Sequence, residues 1–113
     1  MHEISIAEEI KHIVFEKMKE QKMNKIYSVS LVFGEMTSVV PDALRFAFES
    51  VFSETPAEGA EIKIEMVKIK ALCPECGKKS ELKEFEFICP HCAGMKLEII
   101  QGNEMIVKSI DMG

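Results

Sequence analysis

The sequence lacks any long run of apolar residues, and this absence sets a first limit on what the protein does. Its uninterrupted apolar stretches are only a few residues long, whereas a helix that crosses a bilayer needs about 20. We therefore predict no membrane span. The first ten residues contain no lysine or arginine and include Glu3, Glu8 and Glu9, which is unlike a secretory signal. We expect a cytoplasmic protein.

The short motifs that accompany common kinds of catalysis are also missing. The stretch "CGKKS" has neither the upstream glycine nor the hydroxyl residue after its first lysine that a phosphate-binding loop requires. "HEISI" lacks the second histidine of a zinc-protease motif, and no Gly-x-Ser-x-Gly occurs. We predict that the chain is not an enzyme, and that any nucleotide hydrolysis linked to it belongs to a partner.

The charge balance disfavours nucleic acid as a partner, because the net charge is −5. The segment 68–96 is locally basic, with six lysines against four glutamates. A composition of 47% apolar and 29% charged residues, with no low-complexity run, is typical of a folded chain. A length of 113 residues is enough for one domain with a small appendage.

Two segments have the periodicity of amphipathic helices. "SIAEEIKHIVFEKMKEQ" predicts a helix over about 5–22, with Ser5 and Glu8 at capping-box spacing. "VPDALRFAFESVF" predicts a second helix, because Pro41 suits a first helical position and Asp42 suits the positive end of a helix. Its buried face is expected to carry Leu44, Ala47, Phe48 and Val51.

Three segments alternate as strands do. "KIYSVSLVF" predicts a strand that ends at Gly34 and buries one of its two faces. One face carries Tyr27, Val29, Leu31 and Phe33, and the other carries Ile26, Ser28, Ser30 and Val32. "AEIKIEMVKIK" alternates and then changes phase, which a bulge near Met66 would explain. "EMIVKSID" is a last short strand.

All four cysteines lie between Leu72 and Ala93, in the stretch "CPECGKKSELKEFEFICPHC". Two Cys-x-x-Cys pairs in a reducing compartment favour metal binding over disulfides. Each pair forms a knuckle that presents two thiolates to one ion, and two knuckles complete a tetrahedron of sulfurs. Four protein ligands leave no place for water, so we predict a structural site. Its ligands are Cys73, Cys76, Cys89 and Cys92.

These residues leave the metal open between zinc and iron, because four thiolates also hold iron in rubredoxin-like knuckles. Zinc suits a cytoplasmic protein without another redox feature, and a red purified protein would exclude it. His91 lies between two ligands, where we expect a surface imidazole.

Together the elements predict an α+β fold, with two helices packed on a small mixed β-sheet and an inserted four-cysteine zinc-ribbon or rubredoxin-like domain. We expect 1–70 and 101–113 to form the α+β domain and 71–100 the zinc-binding domain. The inserted piece is too small to fold without a staple, which the metal would supply. Its apolar residues are Leu82, Phe85, Phe87, Leu97 and Ile99.

The N-terminal "MHE" is a second candidate metal site. Initiator methionine is normally removed only before a small residue, so we expect Met1 to carry the free amine. That amine, the His2 amide and the His2 imidazole form two fused chelate rings, with the Glu3 amide or another group completing a square plane that suits Ni(II) or Cu(II). From these residues alone, a frayed chain end with no ligand remains an alternative.

The chain resembles the hydrogenase nickel-incorporation protein family HypA/HybF over essentially its full length. The resemblance rests on "MHE", "GEMTSVVPDALRFAFESV", "EGAEIKIE" and the paired "CPEC" and "CPHC", in this order. It departs at Ala93, where many relatives have glycine, and in the absence of histidine directly after Cys76 or Cys92, which some relatives have.

The resemblance implies a nickel metallochaperone that binds Ni(II) through Met1, His2 and Glu3 and transfers it. It implies a structural Zn(II) held by the four cysteines. It also implies a nickel-inserting accessory GTPase and the large subunit of nickel-iron hydrogenase as partners, with urease accessory proteins added for some members. The alternative function is a zinc-ribbon module that binds nucleic acid or a protein without nickel transfer.

Overall fold

The computed structural model describes residues 3–83 and 86–113. Within these ranges the chain forms two α-helices and a short 3₁₀ helix at Glu35–Thr37. The helices are α1 (Glu3–Glu20) and α2 (Pro41–Val51). The strands are β1 (Ile26–Gly34), β2 (Glu61–Val67), β3 (Ile69–Leu72), β4 (Lys79–Leu82), β5 (Glu98–Gln101) and β6 (Met105–Met112). The predicted α+β class with a four-cysteine domain is confirmed.

None of the helices in the described ranges has the length and apolar character needed to cross a bilayer. The described chain divides into two compact units. The first contains the chain up to Val32, Val39–Glu65 and Ile106–Gly113, and the second contains Phe33–Ser38 and Met66–Met105. The domain boundaries predicted at 71 and 100 stay a prediction, and the second unit takes in more chain than 71–100.

In the first unit, α1 packs on α2 and a sheet of order β2-β1-β6 supplies the rest of the core. The helix α2 begins at Pro41 with Asp42 in its first turn, as predicted. The helix α1 begins at Glu3, so Ser5 is exposed inside the helix and the predicted capping box is wrong. Buried apolar residues of this unit include Ile6, Ile10, Val14, Val29, Leu31, Leu44, Ala47 and Phe48.

Two details of the strands differ from the sequence prediction. Tyr27 is half exposed, whereas its neighbour Ile26 is buried and donates its N–H to the Pro56 carbonyl at 3.1 Å. The phase change near Met66 is not a bulge, because β2 ends and a strand of another sheet begins beyond Lys68. The apolar pattern therefore marked a change of sheet.

The second unit is built on the antiparallel sheet β4-β3-β5. Ile69, Ala71 and Leu82 form its small core, and Leu97 and Ile99 pack against it. Phe87 is exposed rather than in the core, and Phe85 lies outside the described residues. So few apolar side chains are a weak basis for folding, which agrees with the expected need for a metal staple.

Candidate metal centre

Strand pairing brings the two cysteine pairs to the same end of β3. Leu72, the last residue of β3, pairs with Lys79 at the start of β4 and with Glu98 at the start of β5. The first cysteine pair lies in the β3–β4 turn, and the second lies in the segment that leads into β5. The sheet register therefore positions both predicted knuckles at one site.

The two knuckles have the same backbone hydrogen bonds. Cys73 donates its N–H to the Lys78 carbonyl at 3.0 Å and accepts from the Gly77 N–H at 2.7 Å. In the second knuckle, the Cys89 N–H donates to the Gly94 carbonyl at 2.9 Å, and the Cys89 carbonyl accepts from the residue four positions on at 2.8 Å. These bonds fold each turn back on its first cysteine.

The four sulfur atoms fit a single tetrahedral ion. The Cys73 and Cys92 sulfurs are 3.5 Å apart, the Cys76 and Cys89 sulfurs are 3.7 Å apart, and all four lie within 4.8 Å of one another. A tetrahedron with metal–sulfur bonds of about 2.3 Å has sulfur–sulfur edges of about 3.8 Å. The predicted thiol set is therefore brought together at a spacing that fits a tetrahedral zinc ion.

The four thiols differ in burial, and together they fill a tetrahedral site. Cys73 and Cys89 are almost completely buried, Cys76 is half buried and Cys92 is exposed. Since all four positions of a tetrahedron are filled by thiols, no coordination position is left for a substrate. Four thiols in this arrangement could hold an ion without an open position, as in a structural centre.

Hydrogen bonds and burial set the proton affinity of the thiols. Burial raises the pKa of Cys89, but the backbone N–H groups of His91 and Cys92 lower it more, and the pKa falls to about 7. The Gly94 N–H lowers the pKa of Cys92, but the contact with Cys73 and burial outweigh it and raise the pKa to about 12. A metal ion must therefore displace protons to bind.

Cysteine spacing alone does not point to Gly94, which the structure places inside the second knuckle. A Cβ atom there would lie 2.6 Å from the Glu75 Oε2 and 3.3 Å from the Cys92 sulfur. The signal available in the sequence is a glycine two residues beyond the second pair of cysteines. His91 is exposed, as predicted, and contributes its backbone N–H to the knuckle.

Of the three predicted nickel ligands, the structure describes Glu3. Met1 and His2 are outside the described residues, and Glu3 is the first residue of the helix, partly buried in its first turn. The first four N–H groups of a helix have no intrahelical acceptor. The Glu3 amide is therefore not needed for the α1 hydrogen bonds.

Comparison with known proteins extends this picture to the whole chain. Residues 1–112 match the family model described as "HypA: Hydrogenase/urease nickel incorporation, metallochaperone, hypA". A hydrogenase maturation factor HypA from Desulfatibacillum aliphaticivorans is 39% identical over 113 residues, which cover 99% of this chain and 87% of that protein. The HypA of Aquifex aeolicus is 33% identical over 112 residues, covering 99% and 97%.

A solved structure shows the same architecture. The solution structure of the Ni metallochaperone HypA from Helicobacter pylori matches with a TM-score of 0.70 and 26% identity, over 99% of this chain and 97% of that chain. The family match, the relatives and the fold therefore agree over nearly every residue. The chain belongs to the HypA family of hydrogenase and urease nickel-incorporation metallochaperones.

Proposed function

We propose that this chain is a nickel metallochaperone that binds Ni(II) at its N-terminus and passes it on during hydrogenase maturation. The observation that carries the proposal is the match of residues 1–112 to a family model described by nickel incorporation. The relatives named as hydrogenase maturation factors support it over 99% of the chain. The chain carries metal and does not catalyse a reaction.

The proposed nickel donors are the Met1 amine, the His2 amide and imidazole, and the Glu3 amide. These nitrogens provide the square plane that Ni(II) prefers. Deprotonated amides are negatively charged, and the positive end of α1, which starts at Glu3, favours negative charge. The helix terminus therefore supports ionisation of the amides that a square-planar site needs. A site at the chain end also leaves Ni(II) accessible for transfer.

The proposed zinc ligands are Cys73, Cys76, Cys89 and Cys92. The sulfur–sulfur distances of 3.5 and 3.7 Å support this assignment. A zinc ion bound there has a structural role, because its binding free energy becomes folding free energy of the second unit.

The proposed partners are the nickel-inserting accessory GTPase and the large subunit of nickel-iron hydrogenase, in the cytoplasm. The absence of a phosphate-binding motif from the sequence supports the assignment of nucleotide hydrolysis to a separate protein. Urease accessory proteins are further partners where the organism has urease, since the family description includes urease.

The test is a nickel titration of zinc-loaded protein that begins at Met1, followed by metal analysis and absorption spectroscopy. Wild type should bind one equivalent with a square-planar spectrum, and His2→Gln, whose large second residue retains Met1, should lose it. His12→Gln is the matched control, because His12 is an exposed imidazole elsewhere on α1 and its removal should leave nickel binding unchanged. Equal nickel affinity in wild type and His2→Gln would refute the site.

The same proteins test the alternative function. A zinc-ribbon module that binds nucleic acid would do so through the lysines of 68–96, with strong salt dependence. Lys68 already pairs with Glu81 at 3.7 Å. Salt-dependent binding that survives His2→Gln and is lost with the lysines would favour the module over the chaperone.

A further inference from the structure

The strand β2 has an unpaired edge. In the sheet of order β2-β1-β6, it pairs with β1 on one side, and within residues 3–83 and 86–113 no strand covers its other side. Such an edge presents a row of N–H and C=O groups that can pair with another chain. Proteins usually protect an edge of this kind from pairing with another chain. The side chains near the β2 edge therefore show how open it is to such pairing.

The Arg45 side chain of α2 reaches this edge. Arg45 donates its Nε–H to the Ile62 carbonyl at 3.4 Å, and its Nη1 lies 3.5 Å from an Asp42 carboxylate oxygen. Both distances are long for these interactions, so both are weak. The directions of backbone groups alternate along a strand, so Ile64 points its groups to the same side as Ile62. The Ile62 carbonyl at this edge is thus bonded only weakly, by Arg45.

An open groove runs beside the same edge. It has a volume of about 680 Å³ and lies between α2 and β2. Arg45, Phe48 and Phe52 line one side, and Ile62 and Ile64 line the other. Both isoleucines are partly exposed. A strand added to the edge would cover apolar surface as well as satisfy backbone groups.

The charges on β2 are complementary to those of a second β2. Glu61, Lys63 and Glu65 alternate with the isoleucines and are exposed. Ile64 is the middle residue of this seven-residue strand. An antiparallel pair with Ile64 opposite Ile64 pairs all seven residues and places Lys63 opposite Glu65 twice. Opposite charges at directly facing positions stabilise strand pairs, and like charges destabilise them.

The charges also disfavour the neighbouring register, which is centred on Lys63. Centring the pair on Lys63 would place two lysines opposite each other and Glu61 opposite Glu65. In the register centred on Ile64, each Glu65 is flanked by the partner lysine and by Lys108 of its own chain, which already lies 3.9 Å away. The charge pattern therefore specifies one register among neighbouring ones.

We infer that the β2 edge is a docking surface for a second copy of this chain, joined as an antiparallel β2–β2 pair centred on Ile64. The inference goes beyond the proposed function and does not depend on nickel binding. The pair makes a continuous six-stranded sheet from two three-stranded sheets. With one short strand at its centre, the association is weak and dependent on concentration.

Charge exchange across the pair is the test. Sedimentation of the zinc-loaded full chain should show a concentration-dependent dimer. Lys63→Glu places a carboxylate opposite Glu65, and Glu65→Lys places an ammonium opposite Lys63, so each variant alone should dimerise about tenfold more weakly or worse. In an equimolar mixture, the heterodimer places the introduced carboxylate of one variant opposite the introduced ammonium of the other and leaves a native Glu65 opposite a native Lys63. Both contacts then join opposite charges, so the mixture should associate like wild type, whereas each variant alone does not. The double variant Lys63→Glu with Glu65→Lys restores both opposite-charge pairs and should dimerise like wild type.

Glu61→Lys is the control, because the register places Glu61 opposite Val67, and its dimerisation should match wild type. Circular dichroism and zinc content establish that each variant is folded. A wild type that stays monomeric at all concentrations would overturn the inference. So would a dimer that both single variants retain, or a double variant that does not recover association.

Discussion

Gly77 and Ala93 occupy equivalent positions in the two cysteine knuckles, four residues after the first cysteine of each pair. Both have left-handed backbones, with φ of 72° and 60°. Both donate their N–H to the carbonyl of that first cysteine, at 2.7 and 2.8 Å. Glycine adopts this conformation without strain, whereas alanine crowds its Cβ against the backbone. Alanine at position 93 therefore leaves the turn intact and makes it less stable than glycine would.

Replacing Ala93 by glycine should stabilise the zinc-loaded second unit by about 1 kcal/mol, because the left-handed strain is removed. Denaturant unfolding at a fixed zinc concentration measures the change. Gly77→Ala should destabilise by a similar amount, since no atom lies within 4 Å of its added Cβ and the backbone alone accounts for the cost. Equal stability of wild type, Ala93→Gly and Gly77→Ala would contradict the strain assigned to alanine in these left-handed positions.

Replacing Cys89 by serine should release the metal and unfold the second unit. A zinc site of this type contributes about 10 to 16 kcal/mol in peptides, and the core around Ile69, Ala71 and Leu82 is small. Zinc per chain should fall well below one, and amide signals of 69–101 should lose dispersion while those of α1 and α2 persist. Ser80→Ala is the control, because its buried hydroxyl has no partner among the described residues. It should keep zinc.

The elements with long periodic patterns could be predicted from the sequence. The start of α2 follows from Pro41 and Asp42, and its buried face follows from apolar spacing. The meeting of the four cysteines follows from their spacing, because two knuckles that each present two thiols can bind one ion together as a tetrahedron. These features depend on local chemistry, which a sequence displays directly.

The short strands of the second unit could not be predicted in the same way. β4 is four residues long and has the sequence "KSEL", with one apolar side chain. It has no periodic apolar pattern from which its pairing with β3 could be predicted. The end of β2 at Val67 depends on which sheet the chain joins next. The contact of Arg45 with Ile62 likewise depends on packing over 17 positions. Tertiary structure decides each of these.

Replacing Gly34 by alanine should destabilise the protein strongly. Its added Cβ would fall on the Gly102 carbonyl, which is backbone and cannot rotate away. We expect a loss of about 3 kcal/mol or more in the free energy of unfolding, as for other severe overpacking. Gly59→Ala is the control, with φ of 79° and open space around its Cβ, and should cost about 1 kcal/mol. Similar denaturation midpoints for both variants would contradict the close approach.

Zinc affinity should rise with pH, because binding displaces thiol protons. Because the second unit unfolds without its metal, the thiols of the metal-free chain have their ordinary pKa of about 8.5. The slope of log affinity against pH should therefore be steep below about pH 8 and flatten above about pH 9. Chelator competition in a pH series measures it, and an affinity that does not change with pH would contradict thiolate ligation.

A peptide extension in front of Met1 should weaken nickel binding, since it converts the proposed amine donor into an amide. Loss of an outer-shell partner typically costs about 10- to 100-fold in metal affinity, so loss of a direct donor should cost at least that much. Titration of extended and cleaved protein, both zinc-loaded, measures the change. The cleaved sample, which begins at Met1, is the control for the extension itself. The four-cysteine site does not include the N-terminus, and α1 starts at Glu3. Zinc content and helix content should therefore be the same in both samples. Unchanged nickel affinity in the extended protein would remove the amine from the ligand set and shift the site to the His2 side chain and other donors.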